Sequence, residues 1–566
     1  MNEAYRNIAK ICALLGTSNA IISPGSRNAP ITMAFAREKR ISTFSISDER
    51  SAAFIGMGMA QISKTPVVIA CTSGTAGYNY APAIAEAFYQ QIPLIVITAD
   101  RAPEWLDQMD GQTIHQQNLY GKHVKESYNM PTSIDHSDSL WHLERSISEA
   151  FNTAKAYPQG PVHINIPFRE PFYPDPNSKE RQFVSTPKII QRLNSESVLD
   201  APVWKSLLSE WKSYKKIIII GGQDSINSPL CQALNTLQKE KFIPIIGDAI
   251  SNLHAMHEVI AHHELYIGSE TKEVINLKPD LIVTFGKSVL SKTLKLFLRK
   301  YKPKAHWHIQ SDGKAADTFQ SLTKIIPTNP LYFFKQLTRS IDALLPEYLY
   351  AWHTIEGKVI NKMEVFFEKS NQKHLTEIEA INSIFKNLPL SCNIQLANSL
   401  SVRLVDYIGL NHRNRNIEIF SNRGTSGIDG CTSTALGAAL VSDKTTLLIT
   451  GDLAFFYDRN AFWNQYIPDN LLILLMNNHG SGIFDMIEGP RNQPEYKKHF
   501  LTSQPLTAKS LAKEFKLSYL HCKNHQELIK SLGTFWVRDG KPKLLEIETN
   551  ISQNTKVLKA LKEIVQ

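Results

Sequence analysis

Only six cysteines occur in this 566-residue chain, and none lies in a CxxC pair or at metal-ligand spacing. Cys12, Cys71, Cys231, Cys392, Cys431 and Cys522 are scattered along it. That excludes a disulfide-stapled scaffold and a structural zinc module, and suits a reducing cytoplasm. Long apolar runs are missing too: stretches such as residues 471–476 are strand-sized, far short of the roughly 20 residues that span a bilayer. The opening stretch MNEAYRNIAKICALLG has scattered charges and no unbroken apolar core, so it reads as a poor secretory signal. No cluster of Lys and Arg is interleaved with aromatics, and no nucleic-acid motif occurs. The net charge of +9 therefore reads as a lysine-rich solvated surface, or as provision for anionic small molecules. The expectation is a cytoplasmic protein with no membrane and no nucleic-acid partner.

What is present is 43% apolar sequence with ordinary Gly and Pro levels, long enough for about three domains with large cores. Short β-rich runs alternate with helix-length amphipathic segments, the pattern of stacked βαβ units and parallel sheets. Strands are expected at 20–23, 43–46, 66–70 and 94–98, each ending in a loop of small or polar residues: SPGSRNAP, SDERSA, CTSGTA and ADRAPE. Loops at carboxyl ends of parallel strands are where ligands bind. A polar, Pro-containing linker is expected at 173–187, then strands at 216–220, 242–246 and 280–285. A charged helical region at 344–376 leads to a third unit with strands at 417–420, 446–450 and 471–476. The resulting domains are 1–180, 188–345 and 360–566. Gly221-Gly222 lacks a full GxGxxG pattern and reads as a tight turn with no cofactor.

The third unit carries the most specific signal. One strand runs into Gly451-Asp452-Leu453, and the next ends in Asn477-Asn478-His479-Gly480. A carboxylate at one strand end, with an amide oxygen and a backbone carbonyl at its neighbour, makes a hard oxygen cage that suits Mg²⁺ carrying phosphate oxygens. Helix N-termini opening after these strands would add N–H donors. A Gly-Asp pair alone is a common turn; followed by Asn-Asn at the next strand end it is rarer. The layout resembles that of thiamine-diphosphate enzymes. The resemblance implies three stacked parallel-sheet α/β domains, binding pyrimidine in the first and diphosphate in the third. It also implies Asp452, Asn478 and the Gly480 carbonyl as ligands of Mg²⁺ (or Mn²⁺). Leu453 stands where that family often has Gly.

Thiamine diphosphate is deprotonated at C2 by its own aminopyrimidine, which needs one carboxylic acid hydrogen-bonded to the ring. The family keeps that acid just after the second strand of the first domain, where this chain reads DERSAA, so the resemblance points to Glu49. Taken alone, Glu49 would read as a first-turn acid complementing its helix dipole. In the family the two motifs meet across a subunit interface, which implies a homodimer or homotetramer.

Within these enzymes the chain is similar to the 2-succinyl-5-enolpyruvyl-6-hydroxy-3-cyclohexene-1-carboxylate synthases of menaquinone biosynthesis. The motifs are ISPGSRNAP, DERSAAF, TSGTA, TADRAPE, NSLSVR, SNRGTSGIDG and NNHGSGIF. That family decarboxylates 2-oxoglutarate and adds the resulting succinyl-semialdehyde carbanion to isochorismate, releasing CO₂. Carboxylate-rich substrates call for arginines, whose planar fork binds them bidentately. The resemblance assigns Ser26, Arg27, Arg101 and Gln112 to isochorismate. It assigns Ser399, Arg403 and Arg423 to the carboxylates of 2-oxoglutarate and the intermediate. Ile428 would wedge the cofactor into its bent form, and Ile483 and Phe484 would wall the reacting centre. The family's middle-domain Lys-Arg pair is reduced here to Lys292 within Ser-Lys-Thr, and Gly111 stands where Asn is expected before Gln112. Two other readings are a pyruvate-type decarboxylase or carboligase, which would not require so many arginines, and a non-catalytic cofactor binder, which could lose Glu49.

Overall fold

The computed structural model describes residues 4–173, 186–193, 195–369, 375–410 and 416–565. Most of the linker expected at 173–187 therefore lies outside the described residues, as do residues 370–374 of the helical region expected at 344–376.

The first sheet is built from β1 (Asn19–Ile22), β2 (Ser42–Ser45), β3 (Val67–Cys71), β4 (Leu94–Arg101), β5 (Ser127–Asn129) and β6 (Val162–Phe168). The second contains β7 (Ile217–Gly221), β8 (Ile245–Gly247), β9 (Leu281–Phe285), β10 (Ala305–Gln310) and β11 (Lys324–Pro327). The third contains β12 (Ser391–Leu396), β13 (Asn416–Ser421), β14 (Thr445–Gly451), β15 (Leu471–Asn477), β16 (Ser518–Cys522) and β17 (Lys543–Glu548). Every strand pairing within the three sheets is parallel. Central strands such as β3 and β15 are buried along their whole length, as expected where helices cover both faces of a parallel sheet.

The strand order is β2-β1-β3-β4-β6-β5 in the first sheet and β13-β12-β14-β15-β17-β16 in the third. These are the same order. Each sheet begins in its interior and is wound outward in both directions, so loops diverge at a switch point, between β1 and β3 and between β12 and β14. The second sheet runs β11-β10-β9-β7-β8.

The expected strands are present, with ends shifted by up to three residues. Strands β5, β6, β10, β11, β12, β16 and β17 were not anticipated, because several alternate buried polar with apolar residues. In β12 (SCNIQL), Asn393 donates to Ser442 Oγ at 2.9 Å and Gln395 to Gln61 Oε1 at 3.1 Å. The Gly221-Gly222 pair is a close crossing of backbones, as expected of a tight turn: a Cβ on Gly222 would lie 2.3 Å from the Lys287 carbonyl oxygen.

The first and third domains share one core. Helices Glu49–Ser63 and Cys431–Leu440 cross within it, bringing Ala52, Phe54 and Ile55 against Ala435, Leu436 and Ala439. The backbones touch: a Cβ on Gly58 would lie 2.0 Å from the Thr434 oxygen, and one on Gly437 2.0 Å from the Ile55 oxygen. A second core joins the middle and third domains through residues such as Ile250, Leu265 and Tyr266 with Val402, Val405 and Tyr407.

Candidate active site

At the switch point of the third sheet, the loops after β12, β13, β14 and β15 line one cavity. Its wall includes Asn398–Ser401, Ile428, Gly451–Ala454, Asn478 and Gly480–Ile483. Asp452, the first residue of helix Asp452–Tyr457, is buried and accepts from Gln504 Nε2 at 2.6 Å. Asn478 donates Nδ2 to Glu377 Oε1 at 2.6 Å and accepts from the Gly480 amide at 3.1 Å. Glu377 opens helix Glu377–Lys386, whose start is fixed by a capping box between Thr376 and Glu379. It lines the same cavity and was not foreseen, because one Glu at a helix start has no sequence signature of its own.

These groups bring two buried carboxyls, Asp452 and Glu377, close enough for one to act on the other. Burial raises the pKa of Asp452, and burial with the Asp452 charge pushes Glu377 up to about 7 despite the bond from Asn478. Against these effects, the charge of His479 pulls the Asp452 pKa back down. Among the described residues, no three His, Cys, Asp or Glu side chains cluster as a metal cage. A hard divalent cation held by one carboxylate, an amide oxygen and a carbonyl oxygen is what this set of donors fits.

The switch point of the first sheet holds a second cavity, lined by Pro24, Gly25, Glu49, Thr72–Ala76, Asp110 and Gln112–Ile114. Glu49 starts its helix just after Asp48, whose carboxylate caps that helix by accepting from Ser51 N at 3.2 Å. Half-burial, with the Asp48 charge adding to it, raises the Glu49 pKa. Gln112 is exposed on the rim with φ 54°. Arg27 is buried, donating to Ser73 Oγ at 2.6 Å and lying 5.7 Å from the Phe172 ring, whereas Ser26 is exposed. Arg101 is already ion-paired with Asp110 and lies 5.9 Å from the Trp105 ring.

Arg403 and Arg423 come together beside the third-domain cavity. Arg403, on helix Leu400–Ile408, donates to the carbonyl of Ser399, a residue held at φ 71°. Arg423 donates Nη1 to Asn398 Oδ1 at 3.1 Å, and its Nε has no partner. Burial first, then the Arg403 charge, pushes the Arg423 pKa down. Lys292 is exposed at the start of helix Lys292–Lys300. One turn further, Lys295 is a middle-domain cation that feels Arg423: burial and the Arg423 charge push its ammonium down. Ile428 and Ile483 line the cavity. The Phe484 ring packs edge-on against Phe500, with centroids 5.6 Å apart.

The Glu49 and Asp452 cavities have no lining residue in common. Each is one sheet's switch point, and neither brings together all the groups that the sequence singles out.

Comparisons with known proteins agree with this geometry. Residues 3–120 match a family described as thiamine pyrophosphate enzyme, N-terminal TPP binding domain, and residues 185–396 match the middle domain of thiamine pyrophosphate enzymes. Among solved structures, benzoylformate decarboxylase from Polynucleobacter necessarius superposes with a TM-score of 0.72 at 15% identity, covering 97% of this chain and 99% of that one. Curated relatives named 2-succinyl-5-enolpyruvyl-6-hydroxy-3-cyclohexene-1-carboxylate synthase include those of Cytophaga hutchinsonii, 43% identical over 100% of this chain and 99% of the relative, and Flavobacterium johnsoniae, 38% identical over 98% and 97%. With a fold, two switch-point cavities and full-length relatives in accord, the chain belongs to the thiamine-diphosphate-dependent 2-succinyl-5-enolpyruvyl-6-hydroxy-3-cyclohexene-1-carboxylate synthase family.

Proposed function

We propose that this enzyme decarboxylates 2-oxoglutarate and adds the four-carbon fragment to isochorismate, giving 2-succinyl-5-enolpyruvyl-6-hydroxy-3-cyclohexene-1-carboxylate and CO₂ in menaquinone biosynthesis. The observation that carries the substrate reading is the Arg403–Arg423 pair. Two neighbouring guanidiniums, bonded only to neutral oxygens among the described residues, flank the Asp452 cavity. Such a pair recognises carboxylates by charge-assisted hydrogen bonds.

Thiamine diphosphate, when bound, supplies the nucleophilic carbon and the electron sink for losing CO₂ and forming the carbon–carbon bond. Asp452, Asn478 Oδ1 and the Gly480 carbonyl would hold Mg²⁺ (or Mn²⁺) and through it the diphosphate. Glu49, whose carboxyl pKa is raised by burial, would be the acid that hydrogen-bonds the pyrimidine ring, and Ile428 would pack against the cofactor. Ser399, Arg403 and Arg423 orient 2-oxoglutarate so that its C1 carboxylate can leave. Ser26, Arg27, Gln112 and Arg101 receive isochorismate, Arg101 exchanging Asp110 for a substrate carboxylate. Ile483 and Phe484 would form the apolar side that excludes water, and Lys292 would be a further cation for an anionic substrate. The separate cavities support a homodimer or homotetramer in which Glu49 of one chain serves Asp452 of another.

The test is CO₂ release from 2-oxoglutarate with isochorismate, with and without thiamine diphosphate. Turnover should require the cofactor and both substrates, and product from pyruvate alone would overturn the assignment.

A further inference from the structure

The segment 421–425, which carries Arg423 just past the end of β13, is gripped from all three domains. Gln223 of the middle domain donates to the Ser421 carbonyl at 2.9 Å, and Asn398 Nδ2 donates to the carbonyls of Asn422 and Gly427, each at 2.6 Å. The strongest hold comes from the first domain. Glu86, on helix Ala81–Gln90, is 2% exposed. Its Oε1 accepts from the Gly424 amide at 2.6 Å and from Gln90 Nε2 at 2.7 Å. Its Oε2 accepts from the Thr425 amide at 2.7 Å and from Thr425 Oγ1 at 2.6 Å.

A carboxylate offers about four acceptor sites, and here all four are filled by the loop and by Gln90. Glu86 lies close enough for its charge to act on Arg423, yet it has no lone pair left to bind the guanidinium. It therefore fixes the residues immediately after Arg423 without neutralising it. We propose that Glu86 is a positioning residue for substrate recognition: a first-domain carboxylate that clamps residues 424–425 so that Arg423 stays aimed at a substrate carboxylate. The proposal rests on the reading of Arg423 as a carboxylate clamp, and the test separates the two.

The informative change is Glu86→Gln. It keeps the shape but points an NH₂ at two donors, Gly424 N and Gln90 Nε2 or the two on Thr425, so the loop must shift. A milder second variant, Thr425→Ala, removes only the hydroxyl donor. Steady-state kinetics of 2-oxoglutarate turnover are measured for these variants, for Arg423→Lys and for the doubles with Arg423→Lys, alongside thiamine diphosphate affinity. Glu86→Gln should raise KM for 2-oxoglutarate about tenfold or more and Thr425→Ala about threefold, with kcat within about threefold and cofactor affinity unchanged. In the Arg423→Lys background each second change should add little, because coupled residues are not additive. If the effects multiply, if KM is unmoved, or if cofactor affinity falls in step with KM, Glu86 is a structural residue only and the proposal fails. If Glu86→Gln does not fold, the Thr425→Ala pair decides by the same criteria. Should Arg423→Lys alone leave KM unchanged, the carboxylate clamp itself falls, and the role of Glu86 falls with it.

Discussion

Arg403 and Arg423 stand beside each other with no acid bonded to either among the described residues, and burial, with repulsion from Arg403 adding to it, lowers the Arg423 pKa. A dianionic substrate relieves that repulsion, so the pair contributes to binding more than an arginine already matched to a carboxylate would. Arg403→Lys keeps the charge but loses the fork. It should raise KM for 2-oxoglutarate by about 10–100-fold, the worth of one or two charged hydrogen bonds; an unchanged KM would remove Arg403 from the pocket. Glu49→Gln preserves shape and loses the acid. Turnover should fall by about 10²–10⁴-fold while thiamine diphosphate still binds by calorimetry, and full activity would exclude Glu49 from the proton path. At this scale the sequence singles out residues that sit in strand-end motifs, as Asp452, Asn478 and Glu49 do, and each of these lines a cavity. Glu377 and Glu86 escaped that reading. Each is one acid in an otherwise ordinary helical pattern, and its partner (Asn478, or Gly424 and Thr425) is remote in sequence.

Among elements, the crossing of helices Glu49–Ser63 and Cys431–Leu440 leaves no room for a side chain at Gly58 or Gly437. A methyl group on Gly437 would meet the Ile55 carbonyl at 2.0 Å, so Gly437→Ala should lower unfolding stability by about 1–3 kcal/mol in urea titration, and an unaffected midpoint would contradict the close approach. In the first sheet, His163 on β6 bridges Thr98 Oγ1 of β4 at 2.7 Å and Ser127 Oγ of β5 at 3.1 Å. Burial pushes its pKa from 6.5 down to about 3. The folded chain thus keeps His163 neutral where the unfolded chain protonates it. The associated stability is complete above pH 6.5 and is lost as pH falls toward 3, at no more than about 1.4 kcal/mol per pH unit. Urea midpoints between pH 7 and 4 should fall less steeply in His163→Gln than in the unmodified chain; equal slopes would show that His163 takes up its proton in the fold. Strands such as β6 were hard to read for the same reason that they titrate: polar side chains are buried on them and satisfied across the sheet, which breaks the apolar run.

For the molecule as a whole, the first and third sheets repeat one strand order, and the proposed chemistry divides between them, acid at one switch point and oxygen ligands at the other. The class and the parallel sheets were legible from alternating strand and helix patterns. The repeat was not, because it lies in topology and not in residue identity. Mixing chains tests the division directly. Glu49→Gln and Asp452→Ala should each be inactive, yet chains co-expressed and randomly paired should recover about a quarter of normal activity, since half the dimers would hold one intact site of two. No recovery would mean that each chain completes its own site.

The two cavities of one chain, lined by wholly different residues, also set a rule of supply. On the proposed pairing, sites come two at a time or not at all. Losing one chain idles its neighbour, and below the concentration at which chains pair, output should fall with the square of the amount of protein, not in proportion to it.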